Sequence, residues 1–247
     1  MSALRARCPD CKTLTAVAIG DEYQCHACGR EFAAGLVRVP RAWGRGGDAM
    51  ARAASMELPW PEAAVIDEDT LEAQIARQAH ELPQRPLVLG GCCCAHIGAV
   101  RGLAGRHGRL GLVWFDAHGD LNTPETSPSG NAWGMPLRML IDGGDIDARD
   151  VTLVGARNLD PPEVAFIDAA GIRRELGDLP EHIYVAVDCD VLDGFPVYMP
   201  EPGGIALADL EQTLARLPVP AGAGFSGLVP SDAAAEALPR LAHALGL

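Results

Sequence analysis

Apolar runs that end abruptly in acids or thiols constrain this chain most. Residues 110–115, Leu-Gly-Leu-Val-Trp-Phe, run straight into Asp116-Ala-His118-Gly-Asp120, and residues 183–187, Ile-Tyr-Val-Ala-Val, run into Asp188-Cys189-Asp190. A third run, 86–91, closes on two glycines and then Cys92, Cys93 and Cys94. Such short continuous apolar runs suit strands buried on both faces. Further strands are expected at 36–40, 150–155 and 222–228, the last despite its glycines. Helical spacing predicts a helix capped at Asp67 and running to about residue 82, with Leu71, Ile75 and Ala79 on one face. It predicts others at 95–106, 161–170, 207–216 and 232–246. Strands alternating with helices imply an α/β fold with a mostly parallel sheet. Ligands in such sheets bind at the carboxyl ends of strands, where these polar clusters fall.

The N-terminal region reads differently. Cys8-Pro-Asp-Cys11 and Cys25-His-Ala-Cys28 give C-x2-C-x13-C-x2-C. Two thiolates from each turn complete a tetrahedral S4 site, the pattern of a zinc ribbon holding one structural Zn²⁺. Gly29 follows the second pair, where such a turn needs positive φ; His26 is expected to face solvent. The expected division is a ribbon over 1–34 and a larger domain over 35–247. Bases and acids balance within the ribbon, which favours a structural clip over a phosphate-binding module.

Composition narrows the function classes. The chain has 247 residues, 48% of them hydrophobic, enough for one large domain with a small module. Its 33 acids against 20 bases give a net charge of −13, which argues against nucleic acid as a partner. No apolar run reaches the ~18 residues of a membrane span, so no membrane partner is expected. The first residues carry no apolar export segment, so a cytoplasmic location and free thiols are expected.

Residues two apart on an extended segment point the same way, so Asp116, His118 and Asp120 can converge. Asp188 and Asp190 repeat the arrangement. Four carboxylates and an imidazole in one cleft repel strongly unless hard divalent cations neutralise them.

Residues 114–136, Trp-Phe-Asp-Ala-His-Gly-Asp-Leu-Asn-Thr-Pro-Glu-Thr-Ser-Pro-Ser-Gly-Asn-Ala-Trp-Gly-Met-Pro, closely resemble the central motif of arginases. Residues 188–193 resemble their second metal motif, and the likeness extends over about 36–247. The resemblance implies a three-layer arginase/deacetylase-like fold and a binuclear manganese site that hydrolyses a guanidino or amidino C–N bond. It implies Asp116 and Asp188 as bridging carboxylates, His118 and Asp190 as further ligands of one metal, and Asp120 as a ligand of the other. Cys93 stands 23 residues before Asp116, where the family has its remaining histidine ligand. A thiolate there is a softer donor and shifts preference towards other divalent metals such as Zn²⁺, Fe²⁺ or Co²⁺. Asn122, Ser129 and Asn131 match positions that hold a substrate α-carboxylate, and Asp160 and Glu163 match positions that hold its α-amino group. The implied partner is a small amino-acid substrate, and the implied assembly a homo-oligomer.

The chain departs from that pattern at Cys93, at Trp133 in place of a histidine that assists proton transfer, and at Gly227 in place of a glutamate that meets the guanidinium. What is lost is help for a strongly basic guanidinium. The expected activity is therefore hydrolysis of L-arginine or, preferably, of a less basic relative such as Nω-hydroxy-L-arginine. Asp120 would orient the attacking hydroxide and relay its proton, and Trp133 would pack on the planar group. The alternatives are a non-catalytic metal-binding scaffold or regulator, and a hydrolase of another amidine or amide.

Overall fold

A computed structural model describes residues 4–247; the first three residues of the expected ribbon lie outside the described residues. The N-terminal strands β1 (Arg5–Ala6), β2 (Ala16–Ile19), β3 (Glu22–Cys25) and β4 (Glu31–Phe32) form an antiparallel sheet in that order. Cys8 and Cys11 lie in the turn after β1, and Cys25 and Cys28 span the exit of β3. Both turns use left-handed backbone, at Lys12 (φ 57°) and at Gly29 (φ 76°). The buried interior here is small, with Ala6, Cys8, Ala16, Tyr23, Cys25 and Phe32 at its centre. A core of that size needs a staple.

The chain then alternates: β5 (Gly35–Val39), α1 (Asp48–Ala53), β6 (Glu62–Val65), α2 (Leu71–Glu81), β7 (Pro86–Gly90), α3 (Ile97–His107), β8 (Gly111–Phe115), α4 (Pro136–Asp142), β9 (Val151–Val154), α5 (Pro161–Ala170), β10 (Ile183–Asp188), α6 (Leu207–Leu214), β11 (Gly222–Ser226) and α7 (Asp232–Ala244). The seven strands form one parallel sheet in the order β6-β5-β7-β11-β10-β8-β9. Alternate residues face opposite sides. Val88, Leu112, Trp114, Tyr184 and Ala186 pack with α2, α3 and α4. Leu87, Val113, Phe115, Val185 and Val187 pack with α6 and α7 on the other side. The result is three layers, helix, sheet and helix, as expected.

The structure corrects one boundary. Thr70, not Asp67, caps α2: its side chain accepts from Ala73 N at 3.2 Å. Asp67 instead accepts from Arg41 Nε at 2.7 Å. The short elements α1, β6 and α4 were not expected from the sequence. The segment around Gly44, Gly46 and Gly47 leads straight into α1.

The two sheets meet at the β6 edge. Arg7 and Glu62 exchange backbone hydrogen bonds of 2.8 and 2.9 Å. Arg38 binds the Glu62 carboxylate at 2.7 Å and the carbonyls of Ala54 and Met56. Part of an otherwise unpaired strand edge is thereby covered.

Candidate active site

Four neighbouring central strands, β7, β11, β10 and β8, end at one cleft. β7 delivers Cys93 in a 3-10 turn, β8 delivers Asp116, β10 delivers Asp188, and β11 ends at Ser226. A cavity of about 240 Å³ lies there. Every site residue expected from the sequence outside the ribbon lines it: Cys93, Asp116, His118, Asp120, Asp188, Asp190, Asn122, Ser129, Asn131, Asp160, Glu163 and Trp133.

The donor atoms fall into two triads. Cys93, Asp116 and Asp188 form one; Asp116, His118 and Asp190 form the other. Within each, the ligand atoms lie within 4.8 Å of one another, and Asp116 is shared. Asp120 lies outside both triads, and Asp188 belongs to only one.

Backbone geometry aims these groups. Asp116 Oδ1 accepts from His118 N at 2.7 Å, and Oδ2 from the Trp114 indole at 3.0 Å. Asp188 Oδ1 accepts from Asp190 N at 3.0 Å, and Asp190 Oδ1 from Ala117 N at 3.0 Å. His118 Nδ1 lies 2.9 Å from Asp190 Oδ2. Cys93 Sγ donates to Asp188 Oδ2 at 2.7 Å.

The electrostatics favour a cation. Burial, reinforced by Asp190, raises the Asp188 carboxyl to about 7. Burial and Asp116 raise Asp190 to about 6. For His118 burial pulls down, but Asp116 and Asp190 outweigh it and hold the imidazolium up to about 12. Burial, then Asp120, Asp188 and Asp116, push the Cys93 thiol well above its usual range. Asp120 Oδ2 is buried without a hydrogen-bond partner, and its backbone is left-handed at φ 53°. Such strain persists where the surroundings impose it, often at functional sites. Mutually repelling buried acids with an orphaned oxygen fit divalent cations. In the ribbon, the Cys8–Cys28 and Cys11–Cys25 sulfurs stand 3.9 and 3.8 Å apart, close to the roughly 3.8 Å implied by tetrahedral Zn–S bonds.

The remaining groups stand on the segment between β8 and α4 and at the entry of α5. Asn122 Nδ2 donates to Asp160 Oδ2 at 2.9 Å. Glu163 accepts from Leu121 N and from Asp160 N, each at 2.9 Å, so it also braces the α5 entry. Trp133 meets Tyr198 edge to face at 6.1 Å and lies against Gly44 and Gly47. Gly227 has φ 73°, and a Cβ there would fall 2.0 Å from Asp188 Oδ1. No side chain at that position fits beside the present carboxylate.

Sequence reasoning missed three neighbours. Arg45 reaches the pocket rim, its N–H on Asn131 Oδ1 at 3.0 Å and its guanidinium 3.4 Å from Ser129 O. Glu201 lies 3.5 Å from His118 Nε2 and accepts from Asn158 Nδ2 at 2.8 Å. Ser226 stands between Cys93 and Asp188. No local spacing signals any of them, because each meets its partner through a distant part of the chain.

Comparison with known proteins agrees with this geometry. The family model described as "Arginase family" matches residues 49–228. An arginase of Staphylococcus aureus (strain MRSA252) is 35% identical over 156 residues, 51% of each chain. An arginase of Bacillus caldovelox is 42% identical over 115 residues, 40% of this chain and 38% of that one. The alignments thus span about half or less of the length of these curated relatives. The crystal structure of arginase from Bacillus subtilis superposes with a TM-score of 0.74 at 26% identity, covering 85% of this chain and 97% of that one.

Proposed function

The chain belongs to the arginase family, and from that premise we propose that it is a metal-dependent hydrolase of the guanidino C–N bond in an arginine-like amino acid. The observation that carries this reading is one cavity uniting two triads of metal-type donors with polar groups suited to both ends of an amino acid. We assign residues 1–34 to a structural zinc ribbon and 35–247 to the hydrolase. In this reading the chain works in the cytoplasm, as a homo-oligomer, on a free small molecule.

Cys93, Asp116, Asp120, His118, Asp188 and Asp190 would hold two divalent cations, manganese by family habit, with a softer metal favoured beside Cys93. Bound there, the cations would neutralise the acids and bring the pKa of water towards neutrality. The chain's own residues do the rest. Asp120 Oδ2, free of other partners, accepts the proton of the attacking water and returns it to the departing amine nitrogen. Asp160, braced by Asn122 and Glu163, faces the substrate ammonium. Ser129 and Asn131 face its carboxylate. Trp133, backed by Tyr198, excludes water and flanks the planar carbon.

Two features support a weakly basic substrate. Gly227 places no carboxylate opposite the guanidinium, and the Trp133 indole only donates, so it cannot shuttle a proton. Nω-hydroxy-L-arginine, yielding ornithine and hydroxyurea, fits better than L-arginine yielding urea. The test is steady-state kinetics of metal-loaded protein on both substrates and on agmatine. We expect kcat/KM for the hydroxylated substrate to exceed that for arginine by at least about tenfold, given the ~10²–10⁴-fold worth of acid–base assistance. Agmatine, lacking the carboxylate, should be poorest, and Asp160→Asn should raise KM with little change in kcat. Equal kcat/KM values would remove the argument from Gly227 and Trp133. A metal-loaded protein inert towards all three would favour a scaffold role.

A further inference from the structure

Behind the acid cluster lie three polar groups that the hydrolytic reading does not use. Tyr184, His96 and Ser226 are each 0% exposed. His96 Nδ1 lies 3.0 Å from the Tyr184 hydroxyl, and Nε2 lies 3.1 Å from Ser226 Oγ. Ser226 Oγ lies 3.4 Å from both Asp188 Oδ2 and Cys93 Sγ. Burying two hydroxyls and an imidazole in an apolar layer is costly unless each is hydrogen-bonded.

The ends of this chain of contacts fix its direction. With a cation bound, the Asp188 carboxylate and the Cys93 thiolate both only accept, so the one Ser226 Oγ–H is shared between them. Ser226 Oγ then accepts from His96 Nε2–H. Burial holds His96 neutral, far below its ordinary range at about 3. Its Nδ1 is therefore an acceptor, and the Tyr184 hydroxyl donates to it. Three donors in series point from the core to the Asp188–Cys93 pair.

The surroundings are shaped to this chain. A Cβ at Gly224, in the middle of β11, would fall 2.7 Å from the Tyr184 hydroxyl and 2.9 Å from His96 Cε1. Glycine weakens a strand interior, and here it leaves the room that the ring and hydroxyl occupy. Trp114, which itself donates to Asp116, meets the His96 ring edge to face at 5.4 Å.

We propose that Tyr184, His96 and Ser226 form a one-way hydrogen-bond relay that positions Asp188 and Cys93 and sets how strongly the Cys93 sulfur donates to a bound cation. This rests on the reading of Cys93 and Asp188 as metal ligands. The three are positioning residues, since none touches substrate. A donor aimed at a ligand oxygen or sulfur fixes its lone pairs and draws off electron density, and losing such a partner typically costs about 10–100-fold in metal affinity.

The test is titration of Co²⁺ into the full-length chain with its ribbon already zinc-loaded, following the sulfur-to-cobalt charge-transfer band and the Kd. The part of the band lost in Cys93→Ala belongs to Cys93. Ser226→Ala should weaken Kd by about 10–100-fold and move that band to longer wavelength. Tyr184→Phe keeps the ring and removes only the far donor, so it should move the band the same way by less. That variant decides alone if Ser226→Ala misfolds. A Cys93 band at the wild-type wavelength in both variants, with unchanged Kd, overturns the relay. Absence of any Cys93-dependent band in the wild type instead overturns the ligand assignment, and the relay with it.

Discussion

Asp188 and Asp190 are buried beside one another, and that placement sets how the metal-free protein answers pH. Their folded-state values near 7 and 6 lie above the ordinary 3.8. The stability they contribute is full below the unfolded value and is lost as pH rises through 6 to 7. His118 acts in the same sense, since its stabilisation is present below 6.5 and declines as pH rises towards about 12. His96 opposes them, being lowered to about 3, but its effect is complete above 6.5. Between about pH 6.5 and 9 the share of Asp188 and Asp190 is nearly spent and that of His118 dominates, so chelated protein should lose stability, read as a falling Tm. A flat or rising Tm over that window would contradict the electrostatics. The sequence already displayed these acids, because residues two apart at a strand end share a direction. It did not display the consequence of Gly227, whose missing Cβ matters only because Asp188, far away in the chain, fills the space.

At the scale of elements, buried strands were the easiest to read, since both faces of β8 and β10 are apolar. β6 was not legible: Glu-Ala-Ala-Val is short and half-exposed, and becomes a strand only by pairing with β5 on one side. The start of α2 was misplaced because Asp67 is as good a cap as Thr70 by residue type; an ion pair with Arg41 takes it elsewhere. The four-cysteine cluster of the N-terminal sheet was legible from spacing alone, yet the docking of that sheet on β6 was not. Cys8→Ser/Cys11→Ser should lose one zinc per chain and leave the cavity residues able to bind metal. It should also become protease-sensitive before residue 35 and aggregate at lower temperature, with the β6 edge uncovered. Metal analysis and limited proteolysis read these outcomes. Unchanged zinc content would overturn the S4 assignment.

For the whole molecule, one parallel sheet collects donors from residues 93 to 190 at a single end. Metal bound there would tie three central strands, β7, β8 and β10, together. Adding a divalent cation at 1,000 times its Kd should stabilise the chelated protein by about 4 kcal/mol per site. For a chain of this size that corresponds to roughly 8–16 °C in Tm, reversed by chelator. A Tm indifferent to Mn²⁺, Co²⁺ and Zn²⁺ would leave the acid cluster without its counterions.

The same layout separates two tasks that many pockets entangle. Groups suited to a cation leave the ends of packed strands, whereas Asn122, Ser129 and Asn131 lie on the segment after β8, and Asp160 and Glu163 at the entry of α5. Ser129 and Asn131 meet Arg45, Ser127 and each other, so they can change without disturbing the acid cluster. Gly227 is different, because its position abuts Asp188 directly. A side chain there demands that Asp188 move, so any substitution at position 227 acts on the acid cluster itself.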